Sequence, residues 1–269
     1  MATTGSDLAA ATPTASIRGI SNYGNTCFLN SALQMLVQIK PLVYYFQTQF
    51  IPANSNDCEI ALNEFFNEYS NGGDCRSAIG KLSTVLGYIG RQEDSMESIR
   101  RIFSLLDRKD SNSKLIIDSN LLGYYSSNDV GPTMIGYSSH VMILSGQGKL
   151  AQMYAGCDQM FSFPNYLIVD INDETRDNEF PIKFKIVQPH GVRFTVTYLI
   201  KSVIVGGTRH GGHYYSAHMV RTDGTDSDRY KYVCANDSQV SNMDKPRFQR
   251  ELNNCRGMMY VKTNEETHN

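Results

Sequence analysis

Four features are missing from this chain of 269 residues, and each absence removes a class of explanation. No charge of either sign predominates: 25 Lys and Arg stand against 27 Asp and Glu, a formal net charge of -2, with no run of like charge. A nucleic acid or an anionic membrane surface needs a basic patch, so neither is expected as a partner. No apolar run is long enough to span a bilayer. The opening Met1-Ala2-Thr3-Thr4-Gly5-Ser6-Asp7 lacks the basic start of a secretion signal, so an intracellular setting, cytoplasmic or nuclear, is expected. Cys-x-x-Cys pairs are also missing, and the six cysteines, at 27, 58, 75, 157, 234 and 255, are too dispersed for a small disulfide scaffold. What remains has the length of one large domain or two lobes with a sizeable core.

The most informative stretch is Gly19 to Gln34, where a turn runs into a helix with a cysteine at the junction. Gly24, Asn25 and Thr26 are turn and capping residues. After them Phe28, Leu29, Ala32, Leu33, Leu36 and Val37 recur at the spacing of one helical face. Cys27 therefore falls in the first turn, where unpaired N–H groups and the positive end of the helix dipole favour a thiolate. Taken alone, Cys27 could equally be a small buried hydrophobe. A matching base decides between the two, and Gly211-Gly212-His213-Tyr214-Tyr215 supplies a candidate at the entrance of a strand. A further strand, Arg229 to Cys234, ends in the turn-forming Ala235-Asn236-Asp237-Ser238. An Asn or Asp there is placed to accept from an imidazole N–H and aim the other ring nitrogen at a thiol.

These segments resemble the Cys box and His box of the ubiquitin-specific proteases, papain-like deubiquitinases with thumb, palm and fingers. Gly19 to Gln34 keeps nearly every position of the Cys box, and Gln92-Glu93-Asp94-Ser95-Met96-Glu97 is similar to the family's Gln-x-Asp-x-x-Glu segment. The resemblance implies an α+β fold with a helical thumb, short fingers and a palm of antiparallel sheet. It makes Cys27 the nucleophile, His213 the general base, Asn236 the residue that orients the imidazole, and Asn22 the oxyanion donor. Asp237 is expected to carry part of the electrostatic load that an Asn at 236 supplies less well than an Asp. Gln92, Asp94 and Glu97 are expected beside the substrate tail, the two carboxylates on one side of a helix start facing its arginines; a capping role is compatible. The loop 206–212, with four glycines in seven residues, reads as a lid. It places His210, Gly211 and Gly212 against the substrate, with Tyr214 as a flat wall or as core.

Taken in order, residues 1–16 read as a disordered lead-in, 17–106 as the thumb, 107–160 as the fingers, 161–262 as the palm and 263–269 as a frayed tail. Pro41 is expected to stop the Cys27 helix. Further helices are expected at Leu42 to Phe50, Glu59 to Tyr69, Arg76 to Ile89 and Ser95 to Leu106. Strand-like runs follow at Leu115 to Ile117, Leu121 to Tyr125, Val141 to Leu144, Tyr166 to Ile171 and 192–205, with a closing strand at Met258 to Lys262. With Cys157 alone between Cys75 and Cys234, the four-cysteine zinc site carried by many relatives cannot be built, so the fingers are expected to be metal-free and no cofactor is expected. The expected function is hydrolysis after the Gly-Gly end of ubiquitin, with ubiquitin and ubiquitinated proteins as partners and room for a regulatory protein. The alternatives are a non-catalytic ubiquitin-binding module on the same scaffold and a protease for another ubiquitin-like modifier.

Overall fold

The computed structural model describes residues 16–53, 55–107, 124–126, 137–139, 141–144, 164–171, 180–187, 193–208, 211–222 and 229–268. Residues 1–15 of the expected lead-in, the 115–117 strand, Cys157 and His210 lie outside the described residues.

The first half is helical: α1 (Cys27–Leu36), α2 (Lys40–Thr48), α3 (Asp57–Asn71), α4 (Arg76–Val85) and α5 (Ser95–Leu106). All ten residues of α1 are buried, which makes it the central helix of the lobe. Phe28, Leu29 and Leu33 are at most 1% exposed; each such side chain stabilises the fold by roughly 1.5–3 kcal/mol. Pro41 does not stop α1, which has already ended at Leu36. It sits in the first turn of α2, where its missing N–H would be unpaired in any case. The stripe expected over Arg76 to Ile89 also ends early, at Val85. α3 starts on a reciprocal cap: Asn56 Oδ1 accepts from Glu59 N at 3.0 Å, and Glu59 Oε2 accepts from Asn56 N at 2.9 Å.

The second half forms β1 (Tyr124–Ser126), β2 (Tyr137–Ser139), β3 (Val141–Leu144), β4 (Tyr166–Ile171), β5 (Lys183–Val187), β6 (Arg193–Thr208), β7 (Gly211–Arg221), β8 (Tyr230–Asn236), β9 (Gln239–Met243), α6 (Lys245–Asn253) and β10 (Cys255–His268). β1 and β2 pair antiparallel by themselves. The main sheet runs β3-β4-β10-β6-β7-β8-β9, with β5 also on β6. Every pairing in it is antiparallel except β3 with β4. The long β6 is shared along one edge, residues 195–199 pairing with β5 and 202–208 with β7.

The sheet separates two cores, as alternating side chains require. Ile168, Ile204, Tyr214 and Met259 face the helical lobe. Leu167, Val203, Ala217 and Met258 face the other way, onto Phe248 and Leu252 of α6. α1 lies on β7, so the start of the helix and the start of that strand become neighbours.

Candidate active site

The loop before α1 is built by Asn22. Gly24 and Asn25 adopt φ of 91° and 57°, curling the chain so that the Asn22 Oδ1 accepts from the N–H of Gly24 (3.1 Å), the N–H of Thr26 (3.1 Å) and Thr26 Oγ1 (3.2 Å). Thr26 occupies the cap position, yet its hydroxyl turns back to accept from Tyr23 N at 3.0 Å, and the helix has no side-chain cap. Cys27 follows as the first helical residue, 3% exposed.

Opposite this helix start lies β7. The Cys27 thiol sits 3.9 Å from the Gly212 carbonyl oxygen, which accepts from it, and the next residue is His213, exposed to solvent. His213 Nε2 is 2.6 Å from Asn236 Oδ1 at the end of β8. An amide oxygen has no hydrogen to give, so Nε2 carries the proton and Nδ1 keeps the lone pair. The sheet order places β8 beside β7, which brings Asn236 to His213 across 23 positions of sequence.

Asp237 follows in the tight turn between β8 and β9, at φ 47°. Its carboxylate accepts from Asn22 Nδ2 (3.1 Å) and Asn30 Nδ2 (2.9 Å), and its carbonyl accepts from Ile20 N (2.8 Å). The carboxylate thus clamps the two boxes together through its bonds to Asn22 and Asn30. Gly19 makes the approach possible, since a Cβ there would lie 2.2 Å from the Ser238 carbonyl oxygen. Asn30, not among the residues expected at the site, joins this clamp from α1, a helix that also buries the polar Ser31 and Gln34.

Gln92 precedes α5 and reaches into the same space. Its Nε2 lies 3.6 Å from Cys27 Sγ and also donates to the Gly212 carbonyl. The start of α5 is held by Asp94, whose Oδ1 caps Met96 N (2.8 Å) and Glu97 N (2.9 Å), and by Ser95, whose hydroxyl meets Ser31 of α1 at 2.9 Å.

Asp94 and Glu97 do not form a joint acceptor. The second oxygen of Asp94 takes Tyr214 Oη at 3.3 Å and faces Arg256 Nη2 at 3.5 Å. Glu97 accepts from Arg100 (2.9 Å) and Arg101 (2.9 Å), and Arg100 also reaches Asp170 of β4. Burial works against it, but the hydrogen bonds from Arg101 and Arg100 hold the Glu97 carboxyl below its usual range. Arg100 and Arg101 gave no signal in the sequence, because arginine three and four residues after Glu97 on a helix looks like an ordinary solvated face, and Arg256 comes from β10, far along the chain.

Tyr214 is not a substrate wall. It is fully buried in the core of the helical lobe, because the residue after His213 in a strand points to the opposite face. Burial, with the Asp94 carboxylate beside it, pushes its phenol well up. Gly207 leaves room for the ring, since a Cβ there would overlap Tyr214 Cζ. Gly211 opens β7. Among the described residues no group of three His, Cys, Asp or Glu is arranged to hold a metal, and no helix is long and apolar enough to cross a membrane.

Helices packed on an antiparallel sheet, with a cysteine at a helix start whose thiol contacts the strand residue just before a histidine, define a papain-like architecture of the thumb-and-palm type. A family model described as ubiquitin carboxyl-terminal hydrolase matches residues 18–262, and the chain belongs to that family; by class it is a ubiquitin-specific cysteine protease. Among solved structures it is similar to the SAGA Ubp8/Sgf11/Sus1/Sgf73 DUB module, with a TM-score of 0.68 at 16% identity over 97% of this chain and 72% of that one. It is also similar to that module bound to monoubiquitin (TM-score 0.68, 15% identity, 97% and 74%). The yeast SAGA DUB module with a Sgf73 mutant matches as well (TM-score 0.68, 15% identity, 97% and 73%).

Proposed function

We propose that this chain hydrolyses the peptide or isopeptide bond after the Gly-Gly end of ubiquitin by a Cys27–His213–Asn236 mechanism. The observation that carries the reading is the 2.6 Å contact of His213 Nε2 with Asn236 Oδ1: an N–H donated there leaves Nδ1 to act as the base, on the strand residue next to the carbonyl that contacts the Cys27 thiol. His213 takes the thiol proton, and Sγ attacks the carbonyl carbon. The oxyanion is stabilised by the Cys27 N–H at the helix start and by the Asn22 hydrogen not given to Asp237. Collapse of the intermediate expels the amine, which takes the proton from His213, and water then releases the thioester.

Ubiquitin as the partner rests on family membership and on similarity to a module solved with monoubiquitin. Because those relatives are assembled with Sgf11, Sus1 and Sgf73, a regulatory protein partner is part of the proposal. The buried cysteines are free thiols, which suits a reducing, intracellular setting. The test is incubation of wild type and Cys27→Ser with electrophile-tipped ubiquitin and ubiquitin-like probes. A Cys27-dependent adduct with ubiquitin is expected. An adduct only with another modifier would redirect the substrate, and none at all would leave only a binding role.

A further inference from the structure

We infer that Gln92 is a catalytic residue that donates a hydrogen bond to the oxyanion formed when Cys27 attacks; this rests on the acyl-transfer reading above. A carboxamide nitrogen has two hydrogens. One of those on Gln92 is held by the Gly212 carbonyl, and that contact turns the second toward Cys27 Sγ, 3.6 Å away. When the Sγ–C bond forms, the π pair of the scissile carbonyl moves onto its oxygen, which stays within contact distance of the sulfur. A donor already at the sulfur then reaches the new charge, and the C–O π bond re-forms as the C–N bond breaks and the amine takes the proton from His213.

Stabilisation of this kind is effective when the donor does not have to reorganise. Gln92 satisfies that condition, because it is held at Gly212 and lies two residues before the Asp94 cap that starts α5. Asn22 likewise gives one hydrogen away, to Asp237, and keeps the other, so the two amides act on the same charge from two sides of the sulfur's helix start. The side-chain N–H in contact with the sulfur belongs to Gln92.

The test uses turnover of ubiquitin carrying a C-terminal aminocoumarin, by wild type, Gln92→Leu, Gln92→Glu and Cys27→Ser. A parallel measurement follows alkylation of Cys27 by iodoacetamide, a displacement that forms no oxyanion. Gln92 is half-exposed, so both variants should fold, and a thermal melt verifies it. Removing one oxyanion donor lowers kcat by on the order of 100-fold. The expected result is that loss in both Gln92 variants, with KM and the alkylation rate within about threefold of wild type in Gln92→Leu, on which these two controls are read because the carboxylate of Gln92→Glu itself disfavours the thiolate. Unchanged kcat, a rise in KM alone, or an alkylation rate that changes in step with kcat would each overturn the assignment; the last would make Gln92 a cover or a positioning residue. Wild type that neither turns over nor forms a Cys27-dependent adduct sinks the hydrolase reading and this inference with it. Turnover that survives Gln92→Leu sinks this inference alone.

Discussion

Replacing Asp237 with alanine should abolish most turnover without touching His213. The carboxylate holds Asn22 and Asn30 at 3.1 and 2.9 Å, and hydrogen bonds to a charged acceptor contribute about 1.5–3 kcal/mol each. The backbone at φ 47° adds a cost of about 1 kcal/mol for a residue without a short polar side chain. Stability should therefore fall by a few kcal/mol. The larger effect is on rate: Asn22 left without its anchor no longer aims its free hydrogen, and a lost oxyanion donor is worth about 3 kcal/mol, or roughly 100-fold in kcat.

Two properties separate this route from direct support of the imidazole. A clamp acting through Asn22 makes Asp237→Ala and Asn22→Ala non-additive, so that the double variant is about as slow as the slower single one. It also leaves the acid limb of the pH–rate profile in place. Steady-state kinetics on the four members of the cycle between pH 5 and 9 decide the matter. Additive losses, or an acid limb that moves in Asp237→Ala, would refute the clamp and restore the electrostatic role expected from the sequence. Asp237→Asn tolerates the left-handed backbone but offers an N–H toward one of the two amides, and should fall between the other two forms.

Arg18 donates to the Glu68, Tyr69 and Gly73 carbonyls at the end of α3, at 3.1, 2.8 and 2.8 Å; Arg18→Ala should cost about 2 kcal/mol in urea unfolding. Tyr214→Phe loses the Asp94 contact and should keep kcat/KM within a few-fold, whereas a large rise in KM would return Tyr214 to the substrate surface. Burial, with Lys40 nearby, holds Lys201 down to about 8 from an ordinary 10.5, a difference worth at most about 3 kcal/mol. Below pH 8 the lysine is charged folded and unfolded, and its burial costs in full. As pH rises from about 8 to 10.5 the folded form sheds the proton first and that cost is relieved. Lys201→Met should therefore be more stable than wild type at pH 7, by an amount that shrinks toward pH 10. The comparison must be between the two proteins, because the buried Cys75 and Cys255 thiols, both pushed up, favour unfolding in alkali.

The part of this site legible in the sequence was the part made of local signals. Gly24-Asn25-Thr26 before an apolar stripe placed Cys27 on the first turn of α1, and two glycines before His213 placed it at a strand entrance. The end of α1 was misjudged because Pro41 was read as a stop, when proline is equally at home in a first helical turn. By the same logic Asp244 followed by Pro246 announced α6, which the reading missed. Strand parity alone would have sent Tyr214 to the face opposite His213, but only if the start of β7 had been placed to the residue.

What no local signal could supply was the set of partners. Whether Asp237 served His213 or Asn22 depended on how the β8–β9 turn meets the loop before α1, 215 residues away in sequence. The same holds for Glu97 and Asp94, which at three-residue spacing looked like a paired acceptor for a cationic tail. Each instead spends its oxygens inside the protein, on Arg100 and Arg101 from its own helix and on Arg256 from β10. A substrate arginine would have to displace one of these pairs rather than fill a vacant acceptor, and exposed ion pairs contribute under about 1 kcal/mol. Arginine-to-alanine changes in a ubiquitin probe's tail should therefore alter its reaction with Cys27 by less than about tenfold, and a loss of several hundredfold would show that Glu97 exchanges partners on binding.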